Sequence, residues 1–397
     1  MGNLDERPLR VLAADDSAVM RGIMRHLFLM HGGDPKSELP RMELCGVARD
    51  GVECLDAVQQ LKPDVLVLDL EMPRLNGLEV LERLRRVNPR LPVIMCSSHT
   101  EHGARSTLEA LARGASDYVM KPVERKDFAS ALRSLAQQLL PRVAALAKGA
   151  RKGQEADKSG VVKDDVSRAS GEATIELVVI GLSTGGPAAL ERMLPGLPED
   201  FPVPVMIVQH MPKLFTGPLA ERLNKCCSLR VEQAYDGAVI RPGTVWLAPG
   251  DSHMEVADGV LAIGDDARRR GRVKLHQREL LNHCRPSVDY LFLSAARMYG
   301  AGTLALMMTG MGSDGLDGAL AVHKGGGVVL AQDEETSAVW GMPGRVSEAG
   351  IASATLPLDM LADELMQRTY AGSAVRVPVQ HHPSMSLARR EVTHGLF

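Results

Sequence analysis

Along the chain, short aliphatic runs alternate with longer stretches in which apolar residues recur every three to four positions. The first set of runs predicts strands at 10–14, 43–47, 65–69, 93–97 and 117–120, with amphipathic helices between them. Leu61-Lys62-Pro63-Asp64 marks the break ahead of the third strand. A second set contains Leu177-Val178-Val179-Ile180, Val205-Met206-Ile207-Val208-Gln209 and Leu304-Ala305-Leu306-Met307-Met308. Strands that alternate with helices imply a parallel sheet covered on both faces and joined by right-handed crossovers. The expected architecture is α/β, two doubly wound parallel-sheet domains at 8–140 and 175–370. Residues 141–174 mix both charge signs with Gly, Ser and Ala, and no aromatic occurs between Phe128 and Phe201, so a linker is expected there. The tail, 371–397, is expected to be disordered.

The length of 397 residues suits two domains, each of about 100–200 residues. Six Phe, five Tyr and two Trp leave an aliphatic interior and argue against a surface that stacks nucleic-acid bases. A net charge of −3 offers no polybasic groove or membrane anchor. The six cysteines form no CxxC and read as reduced thiols of a cytoplasmic protein. No run of 18 apolar residues predicts a membrane span, and Met1-Gly2-Asn3-Leu4-Asp5-Glu6 lacks a signal-peptide core.

In the first domain Asp15 and Asp16 follow strand one, Asp69 ends strand three, Ser97 ends strand four and Lys121 follows strand five. A parallel sheet brings all of these to one edge, where ligands gather. Taken singly, an Asp-Asp pair after a strand is ordinary loop acid. Together the carboxylates would repel, and a hard cation such as Mg²⁺ relieves that. The set is suited to accept a phosphoryl group on Asp69, with Lys121 and Ser97 as its partners. Leu12-Ala13-Ala14-Asp15-Asp16-Ser17, Leu68-Asp69-Leu70-Glu71-Met72-Pro73 and Val119-Met120-Lys121-Pro122 resemble the receiver domain of two-component response regulators. The resemblance implies a flavodoxin-like fold, Asp69 as phosphoacceptor and a histidine kinase as phosphodonor. It also implies Mg²⁺ held by Asp16, Asp69 and the Glu71 backbone carbonyl, with Asp15 helping through water, and Ser97 and Tyr118 as a switch pair. His31-Gly32-Gly33-Asp34-Pro35-Lys36 departs from the pattern by lengthening one connection.

In the second domain the strand at 177–180 runs into Gly181-Leu182-Ser183-Thr184-Gly185-Gly186 and then Pro187, which suits the first turn of a helix. Gly181-x-Ser183-x-Gly185 fits a serine on a sharp elbow. The same turn could cradle a phosphate or be purely structural, although neither GxGxxG nor GxxxxGK[ST] is present. His210 ends another strand, and Asp314 follows a third within Gly310-Met311-Gly312-Ser313-Asp314-Gly315. If these strands share a parallel sheet, Ser183, His210 and Asp314 meet at its carboxyl edge as nucleophile, base and orienting acid. The chain order Ser, His, Asp differs from that of α/β-hydrolases and predicts a distinct fold with a convergent site. His253, in an expected loop, is a rival base. His283 beside Cys284 is too sparse for a zinc site. Asp317 and Asp333 read as solvated loop positions, and Arg268-Arg269-Arg270-Gly271-Arg272 as a solvated hairpin or loop.

The matching segments are Ile180-Gly181-Leu182-Ser183-Thr184-Gly185-Gly186, Gln209-His210-Met211-Pro212, Leu247-Ala248-Pro249-Gly250-Asp251-Ser252-His253-Met254, Arg285-Pro286-Ser287-Val288-Asp289, Thr309-Gly310-Met311-Gly312-Ser313-Asp314-Gly315 and Trp340-Gly341-Met342-Pro343. Together they resemble the catalytic domain of chemotaxis protein-glutamate methylesterases. Leu182 stands where that family usually has Ala, and Cys284 where it often has His. The resemblance implies a Rossmann-like domain, Ser183 as nucleophile, His210 as base, Asp314 as orienting acid and the Met311 backbone N–H as oxyanion donor. It implies no cofactor for the hydrolysis itself. The implied activity is demethylation of glutamate methyl esters on chemoreceptor signalling helices, with release of methanol, and deamidation of glutamines. Receiver phosphorylation would activate it, in a protein that neither binds nucleic acid nor inserts into membranes. A surface-sensing pathway of the same architecture, or a regulator with a DNA-binding output, are the alternatives.

Overall fold

The computed structural model describes residues 7–31, 39–122, 127–156, 173–258 and 271–370. The tail at 371–397, most of the insertion at 32–36, the arginines at 268–270 and the linker beyond 156 lie outside the described residues.

The first domain runs β1 (Leu9–Ala14), α1 (Ala18–His31), β2 (Met42–Ala48), α2 (Gly51–Leu61), β3 (Val65–Asp69), α3 (Gly77–Val87), β4 (Val93–Ser97), α4 (Glu101–Ala112), β5 (Asp117–Met120) and α5 (Phe128–Ala156). Its five strands are all parallel, in the order β2-β1-β3-β4-β5. Strands β3, β4 and β5 are buried at every residue, as a sheet covered on both faces requires. Helix starts are locally encoded. Asp50 accepts the amides of Val52 and Glu53 at the head of α2, and Asn76 and Glu79 form a capping box at the head of α3.

Residues 141–156, expected in the linker, instead continue α5. The reason is an apolar stripe at helical spacing. Leu139, Val143, Leu146 and Ala147 are buried in one cluster with Val339 of the second domain. Packing of this face carries the helix through Pro141, whose missing N–H would otherwise favour a break.

The second domain runs β6 (Leu177–Leu182), α6 (Gly186–Met193), β7 (Val205–Gln209), α7 (Lys213–Cys226), β8 (Arg230–Gln233), β9 (Thr244–Leu247), β10 (His253–Ala257), β11 (Arg272–His276), α8 (Val288–Tyr299), β12 (Thr303–Met307), α9 (Leu316–Lys324), β13 (Val328–Gln332), α10 (Met342–Glu348), β14 (Ala354–Leu356) and α11 (Leu361–Tyr370). Seven strands form one parallel sheet, β14-β13-β12-β6-β7-β9-β8. β10 and β11 make a separate antiparallel pair. The chain leaves β6 towards β7 on one side and later returns as β12 on the other. The crevice beyond β6 is thus the switch point where such sheets bind ligands.

The two domains share an apolar cluster in which Leu108 and Leu111 of α4 join Leu190 and Met193 of α6 and Phe215 of α7. Tyr118 stacks on Phe215 with ring centroids 4.6 Å apart. Arg105 pairs with Glu221 at 2.9 Å across the exposed rim.

Gly250 sits where the loop after β9 crosses the segment following His210. A Cβ there would lie 2.3 Å from the Lys213 nitrogen and 2.6 Å from the Met211 carbonyl oxygen, both backbone. Gly250→Ala should cost about 1–3 kcal/mol in thermal or denaturant unfolding. A variant as stable as the parent would contradict this packing.

Candidate functional site

Ser183 is the first residue after β6, and the backbone around it leaves little freedom. Its N–H donates to the Thr309 carbonyl at 3.0 Å, and its own carbonyl accepts the Gly186 amide at 2.9 Å. Gln209 Nε2 reaches the carbonyls of both Ser183 (2.9 Å) and His210 (3.1 Å), tying the ends of β6 and β7 together. Gly185 closes the turn at φ +79° and heads α6. Strand, glycine turn and helix thus follow one another around Ser183.

Asp314 hangs in the loop after β12, between Gly312 at φ +97° and Gly315 at φ +91°. It is 3% exposed, and four donors hold it. Asn282 Nδ2 (2.9 Å) and Ser287 Oγ (2.7 Å) donate to Oδ1; His210 Nε2 and the Val288 amide (2.6 Å) meet Oδ2. The His210–Asp314 contact is 2.7 Å. Burial alone would raise this carboxyl's pKa, but the His210, Asn282 and Ser287 bonds hold it below the usual carboxylate range. The histidine responds in the opposite sense. Burial would lower the imidazole's pKa, yet the bond to Asp314 and the contact with Cys284 hold it well above an ordinary histidine.

With Nε2 committed to Asp314, Nδ1 is the nitrogen left to face a nucleophile. It looks instead at Cys284 Sγ, 3.6 Å away. No hydrogen bond joins the Ser183 hydroxyl to His210 among the described residues. His210 and Asp314 are in direct contact, and Ser183 shares a cavity of about 300 Å³ with His210, Cys284, Asp117, Tyr118 and Arg142. One wall of that cavity belongs to the first domain. Thr184, next to Ser183, donates to Asp117 Oδ2 at 2.8 Å, and Arg142 Nε donates to the same oxygen at 2.9 Å.

His253, expected in a loop, opens strand β10 and is fully buried. Its Nε2 faces the Glu279 carbonyl at 3.0 Å and its Nδ1 accepts the Ser287 amide at 3.2 Å, so both nitrogens are engaged away from Ser183. Asp333 accepts the Thr336 amide and hydroxyl in its own loop, and Asp317 lies in the first turn of α9. His283 lines the cavity. Gly310 abuts Ser183, since a Cβ there would sit 2.9 Å from the serine Cβ, and Met311 is the next residue in the chain.

Sequence reasoning missed Asn282 and Ser287 as partners of Asp314, and Asp117 as partner of Thr184. Asn282 and His283 occupy the centre of a tight turn closed by the Leu281 and Cys284 backbones, with φ +52° and +62°. Positive φ at both central positions is the type I′ pattern, for which Asn is a favoured residue. That local signal was legible, but the contact with Asp314 is not.

In the first domain Asp15 and Asp69 are each 2% exposed, while Asp16 is exposed. Lys121 Nζ lies 2.7 Å from Asp69 and 3.1 Å from Asp15. Burial and then the Asp15 charge push the Asp69 carboxyl up to about 6, against the pull of Lys121. The Glu71 amide also donates to Asp69. Asp15, Asp16 and Asp69 each offer a carboxylate oxygen within 4.8 Å of the others, a donor set that fits Mg²⁺. Ser97 turns towards α4, where Thr107 Oγ1 donates to its hydroxyl at 2.8 Å, and Tyr118 is buried under Phe215.

Residues 178–365 match the CheB methylesterase family and residues 11–133 the response regulator receiver domain. A protein-glutamate methylesterase/protein-glutamine glutaminase of Trichodesmium erythraeum is 39% identical, covering 90% of this chain and 98% of that protein. One of the same name from Thermotoga maritima is 38% identical over 92% of this chain and 99% of its own length. The crystal structure of the Thermotoga maritima CheB methylesterase catalytic domain is 40% identical, with TM-score 0.46, and covers 49% of this chain and 99% of that one.

The Asp69 shift predicts a sign for stability. The folded chain holds this proton more tightly than the unfolded chain, so the contribution falls as pH rises from about 4 to about 6, by on the order of 2–3 kcal/mol. Asp69→Asn should therefore raise the thermal midpoint at pH 7.5, with the gain shrinking below pH 5. Millimolar Mg²⁺ should raise the midpoint of the parent but not of the variant. A parent indifferent to Mg²⁺ would count against the metal site.

Proposed function

The chain belongs to the protein-glutamate methylesterase family with an N-terminal receiver domain, and from that premise we propose that it hydrolyses glutamate methyl esters, and deamidates glutamines, on chemoreceptor signalling helices under control of receiver phosphorylation. The observation that carries the reading is the His210–Asp314 contact on the cavity that also holds Ser183.

In this reading Ser183 Oγ attacks the ester carbonyl. His210 takes the serine proton on Nδ1 and returns it to the leaving methoxide, while Asp314 fixes Nε2–H and stabilises the imidazolium. The Met311 amide donates to the tetrahedral oxyanion. Water, deprotonated by the same nitrogen, then releases the glutamate. A carboxamide follows the same path with ammonia as leaving group. Neutral His210 is needed for the first step, whereas the conformation described here favours its protonated form and turns Nδ1 to Cys284. That supports assigning this conformation to the resting state.

The shared cavity wall supports the reading of regulation. A histidine kinase would transfer a phosphoryl group to Asp69, with Asp16, Asp69 and the Glu71 carbonyl holding Mg²⁺, Asp15 helping through water and Lys121 neutralising added charge. Mg²⁺ bound there spreads the charge of the transferring group. Ser97 would then turn from Thr107 towards the phosphoryl oxygens. Tyr118, on the adjacent strand and stacked on Phe215, couples that turn to the catalytic domain. Loss of the Tyr118, Asp117 and α4 contacts would open the cavity to a receptor helix. No helix among the described residues is long and apolar enough to cross a membrane.

The test is methanol release from membranes carrying methyl-labelled receptors, with and without a small phosphodonor. Ser183→Ala should lower release by several orders of magnitude while leaving Asp69 phosphorylation intact. Retained release would remove Ser183 from its role. Asp117→Asn weakens a buried charge-assisted bond worth about 1.5–3 kcal/mol, and should raise unphosphorylated activity up to tenfold. A variant as quiet as the parent would show that this contact does not restrain the enzyme.

A further inference from the structure

Cys284 is half-buried and lines the catalytic cavity. Its sulfur faces the one imidazole nitrogen that Asp314 leaves free. The separation, 3.6 Å, is within reach of a hydrogen bond between sulfur and nitrogen, and it admits a second reading. It is the spacing a tetrahedral zinc ion demands: with Zn–S of about 2.3 Å and Zn–N of about 2.0–2.1 Å, the two donor atoms stand about 3.5–3.6 Å apart. The remaining donor set also fits. Metal-bound histidines usually give their other N–H to a carboxylate, which orients the ring and strengthens the ligand, and Asp314 stands 2.7 Å from Nε2. The type I′ turn at 282–283 fixes the Cys284 backbone, and the β7 end fixes that of His210, so the pair is held in place by the fold. One ligand atom from each of His210, Cys284 and Asp314 lies within 4.8 Å of the others.

We propose that His210 Nδ1 and Cys284 Sγ form a binding site for a thiophilic divalent cation, Zn²⁺ above all, and that its occupation switches the enzyme off. The Cys284 thiol and the protonated His210 Nδ1 each give a proton to solvent as the Zn–S and Zn–N bonds form. His210 binds through the neutral Nδ1 lone pair and keeps Nε2–H on Asp314. Two positions on the ion stay open to the cavity and take water. The lone pair that would accept the Ser183 proton is then committed to the metal. The sequence neighbour His283 has no part in this. Cys284 finds its partner 74 residues earlier in the chain.

The inhibition rests on the esterase reading above, whereas the binding does not, and the test separates them. The full chain is used with Cys226 and Cys227 changed to Ser, because their sulfurs lie 3.9 Å apart and form a rival thiol site. Co²⁺ titration should give a thiolate-to-cobalt charge-transfer band in the near ultraviolet. Cys284→Ala in that background should abolish it, and His210→Gln should weaken Co²⁺ binding at least tenfold. In turnover, Zn²⁺ should inhibit the Cys284-containing chain at a concentration at least tenfold lower than Cys284→Ala, each scaled to its own metal-free rate. Absence of the band, or a band that survives Cys284→Ala, overturns the site. A normal band with equal zinc sensitivity in both chains overturns the switch while keeping the site. A chain that binds Co²⁺ as expected but releases no methanol indicts the esterase reading instead.

Discussion

Asp314 is an ionised carboxylate kept almost out of water, and the fold around the catalytic rim is organised to make that tolerable. Isolating such a charge costs several kcal/mol unless its lone pairs are filled. Four donors from two separate segments fill them: His210 after β7, and Asn282, Ser287 and the Val288 amide where the chain enters α8. Each also fixes something else. Asn282 bridges to Asp289 at 2.8 Å, and the Ser287 amide is tied to His253. The carboxylate thus fastens α8 and the 281–287 loop to the sheet rim, and the same bond sets the direction of the His210 ring. A residue that looks like the third member of a catalytic set is also the keystone of the local fold.

The first domain bears on this rim through a small number of specific contacts. Tyr118 and Asp117 come from the edge strand β5, and Arg142 from α5 reaches the same cavity. The two parallel sheets carry Asp69 and Ser183 at their carboxyl edges, and the strand that carries Tyr118 is paired with the one ending at Ser97. A change in charge at Asp69 is therefore one strand removed from the interface. Surface pairs such as Arg105–Glu221 add little to the affinity of the two domains, because both groups remain over half exposed. The buried ring stack and the Asp117 bond are the contacts whose loss would matter.

Much of this was legible in the chain because strand ends announce themselves. Asp15, Asp69, Ser97 and Lys121 each follow or close an aliphatic run, and parallel topology then gathers them at one edge without further information. The places of Ser183, His210 and Asp314 beyond strand ends were readable for the same reason, whereas the turn of His210 Nδ1 to Cys284 and not to Ser183 was not. What escaped was set by packing between distant segments. The apolar stripe at 139, 143, 146 and 147 is hard to read because mixed charges with Gly, Ser and Ala and the lack of aromatics suggest a linker, and its partner Val339 lies almost 200 residues away. His253 resembled a free loop histidine until strand β10 buried it. Nothing local to Cys284 reveals that it faces His210, since a type I′ turn and an unrelated strand end create that pairing.

The central claim is that the Asp314 bond to Nε2 fixes both the charge and the direction of His210 while the receiver is docked. Nitrogen-15 NMR of histidine-labelled full chain reads this directly, with the His210 signals assigned from His210→Gln. The account predicts a resting ring that stays protonated well above pH 6.5, with Nε2–H strongly hydrogen-bonded, and a fall in its pKa when Asp314 becomes Asn. A ring titrating at the ordinary histidine value in the resting chain, indifferent to Asp314→Asn, would contradict it.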